Sequence, residues 1–268
     1  MSRYLNYIII CSLGLCFSCE EPVDWPLSAG PEGRLVVEAI LTNQHTFQKF
    51  RLTQNRRAAN GEELGVADAQ VAISSPQISL VFDADQQDPG SYVSKRPFAA
   101  QKDVLYTLEI IWRDEAYEAS SQLSFVAPLE QIIIDRENED SLFIGEVAPL
   151  YHPLQQAMHE VQVDWTHISM TAPNRAGLFF YTFSTIDGSE LLRPMVEDIY
   201  FPKGTKVMRT KYGLNDDFAA YLRSFALETI WQGGFFDEAS SSLPTNISNG
   251  GLGFFSVCAT LQDSLVAF

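Results

Sequence analysis

Asp83, Asp85 and Asp88 run D-x-D-x-x-D ahead of Gly90, a spacing in which hard carboxylate oxygens can wrap a cation such as Ca²⁺. The twelfth position counted from Asp83 holds Ser94, where an EF-hand loop needs a bidentate glutamate, so the three are metal candidates outside that motif. An acidic hairpin tip satisfies the same pattern, and Glu137, Glu139 and Asp140 form a second cluster of that kind. His152, His159 and His167 stand seven and eight residues apart, which no single strand or helix turns to one side. His159-Glu160 lacks the second histidine of a zinc helix, so the histidines read as scattered polar residues. There is no G-x-S-x-G, no Walker loop and no dinucleotide fingerprint. Gly250-Gly251-Leu252-Gly253 reads as a turn feeding a strand, because no lysine or hydroxyl residue follows at phosphate-binding spacing. No cofactor is expected and no catalytic residue is nominated. A carboxylate pair for glycoside hydrolysis stays open, since two acids distant in sequence can meet in the fold. So does sugar stacking on Phe179, Phe180, Tyr181 and Phe183, or on Phe235 and Phe236, although aromatic-rich strands usually face a core.

One residue carries a different chemistry. Cys19 closes Leu15-Cys16-Phe17-Ser18-Cys19, after a positive start at Arg3 and an apolar run centred on Ile8, Ile9 and Ile10. That run is shorter than the ~20 residues that cross a bilayer as a helix. The order of features is that of a bacterial lipoprotein signal: residues 1–18 are cut off, and the Cys19 thiol is acylated. Cys16 fits less well, because Leu15 would precede the cut where a small residue such as Ser18 is needed. Cleavage removes one positive charge, Arg3, from a chain of net charge −16, leaving 17 basic against 34 acidic side chains. Such a surface repels nucleic acid, and no basic stripe offsets it. Of the four cysteines only Cys258 is left, within the apolar run Gly253–Ala259, where it reads as a packing residue without an internal disulfide partner.

The elements that must position these groups are mainly β. Residues 19–33 hold three prolines and read as the acylated N-terminus and tether, with Trp25 docked on the body. Over 34–128, short alternating runs at Leu35–Leu41, Phe50–Thr53, Val66–Ile73, Ile78–Phe82, Tyr106–Trp112 and Ala116–Ser121 are punctuated by turns such as Asp88-Pro89-Gly90. This predicts an N-terminal immunoglobulin-like or transthyretin-like sandwich. A second β-rich domain is expected over 129–268, with strands around Val161–Trp165 and Phe179–Phe183 and closing strands at Leu252–Leu261 and Ser264–Phe268. It also carries a helix near 215–232. Asn215 caps that helix, Asp216 and Asp217 complement its dipole, Gly233-Gly234 ends it, and Phe218, Tyr221, Leu222 and Phe225 form its buried stripe.

The order Cys19-Glu20-Glu21-Pro22, then Leu35–Asn43, Ala69–Ile73, Pro89–Tyr92, Tyr106–Ile110, the Tyr221-Leu222-Arg223 helix and Pro244–Phe255 resembles the domain-of-unknown-function family 4249 of Bacteroidota. One departure is Gln101–Leu105, which lacks a glycine before Tyr106. The resemblance implies an outer-membrane lipoprotein, with a TonB-dependent transporter as candidate partner and no assigned activity or site residues. Within that phylum, Glu20 and Glu21 are similar to the export signal that sends lipoproteins to the cell surface. Asp140-Ser141-Leu142 and Asp263-Ser264-Leu265 look like its O-glycosylation pattern, making Ser141 and Ser264 glycosylation candidates. The leading expectation is a lipid-anchored binding or accessory module whose contact with the membrane is the lipid. A carboxylate-dependent hydrolase of glycan or peptide, and an adhesion or scaffold lipoprotein, are the alternatives.

Overall fold

Period-two alternation builds the first half of the protein. The computed structural model describes residues 33–55, 64–191, 198–231 and 243–268. Cys19, Glu20, Glu21, Trp25, Gly233, Gly234, Phe235 and Phe236 lie outside them. Strand β1 (Leu35–Thr42) buries Leu35, Val37, Ala39 and Leu41 in turn. It is followed by β2 (Lys49–Gln54), β3 (Leu64–Gly65), β4 (Gln70–Ser75), β5 (Ile78–Ala84), β6 (Ser91–Ser94), β7 (Leu105–Trp112) and β8 (Glu115–Ser124). The second half contributes β9 (Ile133–Arg136), β10 (Ser141–Glu146), β11 (Ala157–Asp164), β12 (Arg175–Thr182), β13 (Phe201–Pro202), β14 (Lys206–Gly213), β15 (Leu252–Cys258) and β16 (Thr260–Val266). A single helical turn, α1 (Gly188–Leu191), and a helix, α2 (Asp216–Glu228), complete the described elements.

The chain is mainly β, as its pattern predicts. The N-terminal sandwich is joined edge to edge: its nine strands run β1-β15-β8-β7-β4-β5-β6-β2-β3, and β1 also pairs with β2. Eight strands thus form a barrel-like ring with β3 outside it. The interior holds Phe50 stacked on Phe82 at 4.4 Å, with Phe255 edge-on at 6.3 Å.

The ring closes through a strand from the far end of the chain. Leu252–Leu261, expected as one closing strand, is broken at Ala259 into β15 and β16, which serve different sheets. β15 lies parallel to β1 from Val36↔Leu252 to Thr42↔Cys258, and parallel to β8 at Val257↔Leu123. Phe255 and Val257 point into the ring, while Phe254 and Cys258 join the core of the second unit. A strand covered on both faces needs apolar residues without alternation, which is what Gly253–Cys258 supplies. Gly253 has φ +82° and sits against the Val37 carbonyl, where any Cβ would collide with the backbone.

In the second unit, the antiparallel sheet β12-β11-β14-β16 is covered on one face by β9, β10 and β13. α2 and β15 cover the other face. Asn215 caps α2 as expected, its side-chain oxygen accepting the Phe218 N–H at 2.8 Å. The helix stops at Glu228, four residues short of the predicted limit. There the Thr229 hydroxyl donates to the Phe225 carbonyl at 2.6 Å and the Trp231 N–H returns to Ala226. The buried stripe differs from the expected one: Phe218, Ala219, Leu222 and Ala226 are buried, and Phe225 is 41% exposed. The small Ala226 turns to the core one position after Phe225, which places the larger ring on the flank of the helix.

Candidate functional site

The flank of α2 faces a groove of about 680 Å³ between the ring and the second unit. Its walls come from four places. β1 presents its outward residues Glu38, Ile40 and Thr42, and the β1–β2 connection adds Phe47. β12 contributes Phe179 and Tyr181, and β14 contributes Tyr212. α2 supplies Tyr221 and Phe225 over a floor that includes Met158 and Phe254. Phe47 and Phe179 are each more than half exposed.

The rings are ordered. Phe254 lies 5.1 Å from Phe218 at 24°, Phe218 lies 6.1 Å from Tyr221 at 13°, and Tyr221 lies 6.4 Å from Phe225 at 23°. Phe254 also lies 5.3 Å from Tyr221, so Phe218, Tyr221 and Phe254 form one three-ring cluster, which Phe225 extends through Tyr221 to the groove. Burial, then the nearby Glu38 charge, pushes the Tyr221 hydroxyl up to about 12. Burial and the adjoining Glu160 carboxylate, which accepts from the Tyr212 hydroxyl at 2.9 Å, raise Tyr212 as well. Both phenols therefore stay protonated at neutral pH. Among the described lining residues Glu38 is the one carboxylate, and the one lysine, Lys49, gives its ammonium to Asp88 at 3.2 Å. Such a site binds through ring faces and apolar contact. It assembles no pair of acids for general acid–base work.

Of the ring residues singled out by sequence, Phe179 and Tyr181 reach the groove, whereas Phe183 packs in the core against Trp231 at 6.0 Å and Phe180 turns to the other face of its sheet. Phe47, Tyr212 and Phe225 are contributors that sequence reasoning missed or misplaced. The available signal was Ile40, an apolar residue on the polar side of β1, which marks a second contact for that strand.

Two of the three aspartate candidates, Asp83 and Asp88, are engaged by cations. Asp88 accepts from Lys49 at 3.2 Å, Arg51 at 3.1 Å and the Ser91 hydroxyl at 2.6 Å; these bonds, Ser91's first, lower its carboxyl to about 2. Asp83 pairs with Lys95 at 3.2 Å, and Asp85 closes a turn onto the Gln87 N–H. Among the described residues no group of three or more His, Cys, Asp and Glu is arranged to hold a metal ion. Ser141 begins β10 and its hydroxyl donates to Glu137 at 3.2 Å, while Ser264 lies exposed on β16. Cys258 is buried, and burial pushes its thiol up to about 12, which leaves it without nucleophilic character at neutral pH.

His159 is not the scattered polar residue expected. It is fully enclosed, directly across from Lys211 in the β11–β14 register, and neither ring nitrogen has a hydrogen-bond partner. Lys211 and Arg209, both buried, hold the segment that joins the two halves of the protein. Lys211 donates to Glu130 at 2.7 Å and to the Pro128 carbonyl at 3.0 Å. Arg209 donates to the Glu130 carbonyl at 2.6 Å and to Asp263 at 3.0 Å. Burial is the largest single influence on Glu130 and opposes its ionisation, but the bond from Lys211, a backbone hydrogen bond and the nearby positive charge together outweigh it and hold the carboxyl below its ordinary value. The cluster is a structural clasp on the opposite face of the sheet from the groove residues Met158 and Tyr212.

The sequence profile of a family described as a domain of unknown function (DUF4249) matches residues 20–264. The chain belongs to this family. The match runs through both units of this DUF4249 protein and takes in the β15 insertion. No curated protein matches the chain. Among solved structures, a two fibronectin type-III domain segment from chicken tenascin is similar at 13% identity, over 69% of this chain and 91% of that one, with a TM-score of 0.19. No helix among the described residues is long and apolar enough to cross a membrane.

Proposed function

We propose that this DUF4249 protein is a binding module held at the bacterial outer membrane by lipid on Cys19 and presented at the cell surface, where it takes an apolar or ring-bearing ligand in the groove between its two units. The observation that carries the reading is the ring cluster of Phe218, Tyr221 and Phe254, extended to the groove by Phe225. A single carboxylate among the described lining residues supports binding over hydrolysis. A TonB-dependent transporter is the proposed partner, with Glu20 and Glu21 as the export signal.

Affinity capture from detergent-solubilised outer membranes tests this. The wild type should bring down a β-barrel protein that Phe225→Asp, at the groove mouth, fails to retain; repeated recovery of the lipoprotein alone removes the reading. Cys19→Ala should move the protein to the soluble fraction, and continued membrane retention would contradict the anchor. Replacing Glu20 and Glu21 by Ala should protect the protein from external protease while it stays membrane-bound.

A further inference from the structure

β12 is an edge. It pairs with β11 along its whole length, from Ala157↔Thr182 to Asp164↔Arg175, and no other strand among the described residues meets its outer side. The edge is closed only past its end, where the His152 N–H bonds to Phe183 O at 2.9 Å and the Phe183 N–H to Leu150 O at 3.0 Å. Between Arg175 and Tyr181 the outward N–H and C=O groups meet no backbone partner among the described residues and form an open ladder of alternating donors and acceptors.

Sheet edges are normally guarded by charge, proline, bulges or brevity. β16, the other edge of the same sheet, follows that rule: Asp263 sits in its middle, tied to Arg209, and the chain beyond it is bonded back through Ala267 to Thr205. β12 does not. It is eight residues long, has no proline, and reads Arg-Ala-Gly-Leu-Phe-Phe-Tyr-Thr, so its one charge lies at its first residue. Its apolar side chains also continue two surfaces. Phe179 and Tyr181 line the groove, and Leu178 and Phe180 pack on the core of the opposite face.

The geometry points to strand addition: β12 takes an extended, uncharged segment of a partner protein as a fifth strand, and every second side chain of that segment enters the aromatic groove. The open ladder admits only another polypeptide in extended form, because only that supplies donors and acceptors at the matching repeat. Charge selects the segment. The strip from Ala176 to Thr182 carries no formal charge, so an apolar, neutral strand finds no charged partner along the ladder and needs none. This inference rests on the groove being the binding site and adds the kind of occupant and its register.

The test uses the purified full-length protein and a fluorescein-labelled heptapeptide in which threonine alternates with valine and phenylalanine, followed by fluorescence anisotropy. Two further peptides carry N-methyl groups on alternate residues, one set on each edge of the strand. Strand addition uses one peptide edge only. One methylated form should therefore bind at least tenfold more weakly and the other should match the parent, while the β12 amides gain protection from hydrogen exchange. Phe179→Lys, which places a charge on the exposed face of the edge, should weaken the parent peptide at least tenfold with an unchanged unfolding midpoint. Equal binding of both methylated forms would overturn strand addition and leave the groove reading standing. No binding of the parent peptide overturns the inference. So does concentration-dependent self-association abolished by Phe179→Lys, which would make a second copy the occupant.

Discussion

Replacing His159 with leucine should remove a large part of the acid sensitivity of this protein. Burial, then the Lys211 charge, drops the imidazole from its ordinary 6.5 to about 4 in the folded state. The unfolded chain takes up its proton near 6.5, so between that value and about 4 the unfolded state binds a proton that the folded state refuses. Stability contributed by keeping His159 neutral is therefore complete above pH 7 and drains away as pH falls through this window. At about 1.4 kcal/mol per unit the loss reaches about 3 kcal/mol by pH 4. His159→Leu has no such proton to refuse. It also removes two buried ring nitrogens that lack partners, so at pH 7.5 it should be neutral or stabilising by up to about 1 kcal/mol. Urea unfolding at pH 7.5, 6, 5 and 4 gives both curves. Carboxylates away from the site, such as Asp88, titrate in both proteins and cancel in the difference, whereas Glu130, which feels the His159 charge, is part of what the comparison reads. A difference that stays flat to within about 0.5 kcal/mol would refute the enclosed neutral imidazole.

Three other outcomes are expected. Gly253→Ala should cost more than about 2 kcal/mol by chemical denaturation, because it combines a positive φ with a Cβ driven into the Val37 carbonyl; a loss below 1 kcal/mol would mean that β15 can move away from β1. Phe225→Ala should cost only about 1 kcal/mol, since its ring is part exposed, whereas Leu222→Ala should cost about 2–4 kcal/mol; equal losses would return Phe225 to the core. Cys258 should react with a thiol reagent at the rate of global unfolding, and fast labelling of the native protein would show that β15 opens locally.

How far the sequence reveals this fold depends on what covers each element. β7 declares itself, because one face meets a core and the alternation is clean, and β1 and β11 show the same period with apolar residues added where a second face is covered. β14 is hidden. Arg209 and Lys211 fall at inward positions, and only the clasp on Glu130 and Pro128 makes a strand with buried cations tenable. β6 is masked by its neighbour, since Asp88-Pro89-Gly90 signals a turn so strongly that Ser91–Ser94 reads as its continuation. The partners of β15 are beyond any local pattern, because the run Gly253–Cys258 says that the strand is covered on both faces and not by what. The groove was half legible: Phe179 and Tyr181 were identifiable as rings able to stack, but a helical wheel cannot separate a core stripe from a flanking groove wall, and so Phe225 was misassigned.

The parallel lane between β1 and β15 has a consequence for biogenesis. The two partners are made more than 200 residues apart, so the barrel-like ring has a missing stave throughout translation, with Leu35, Val37 and Leu41 waiting for Phe255 and Val257. The ring therefore cannot close until β15 has been made, so the first half of the chain is held incomplete while the whole second unit is synthesised.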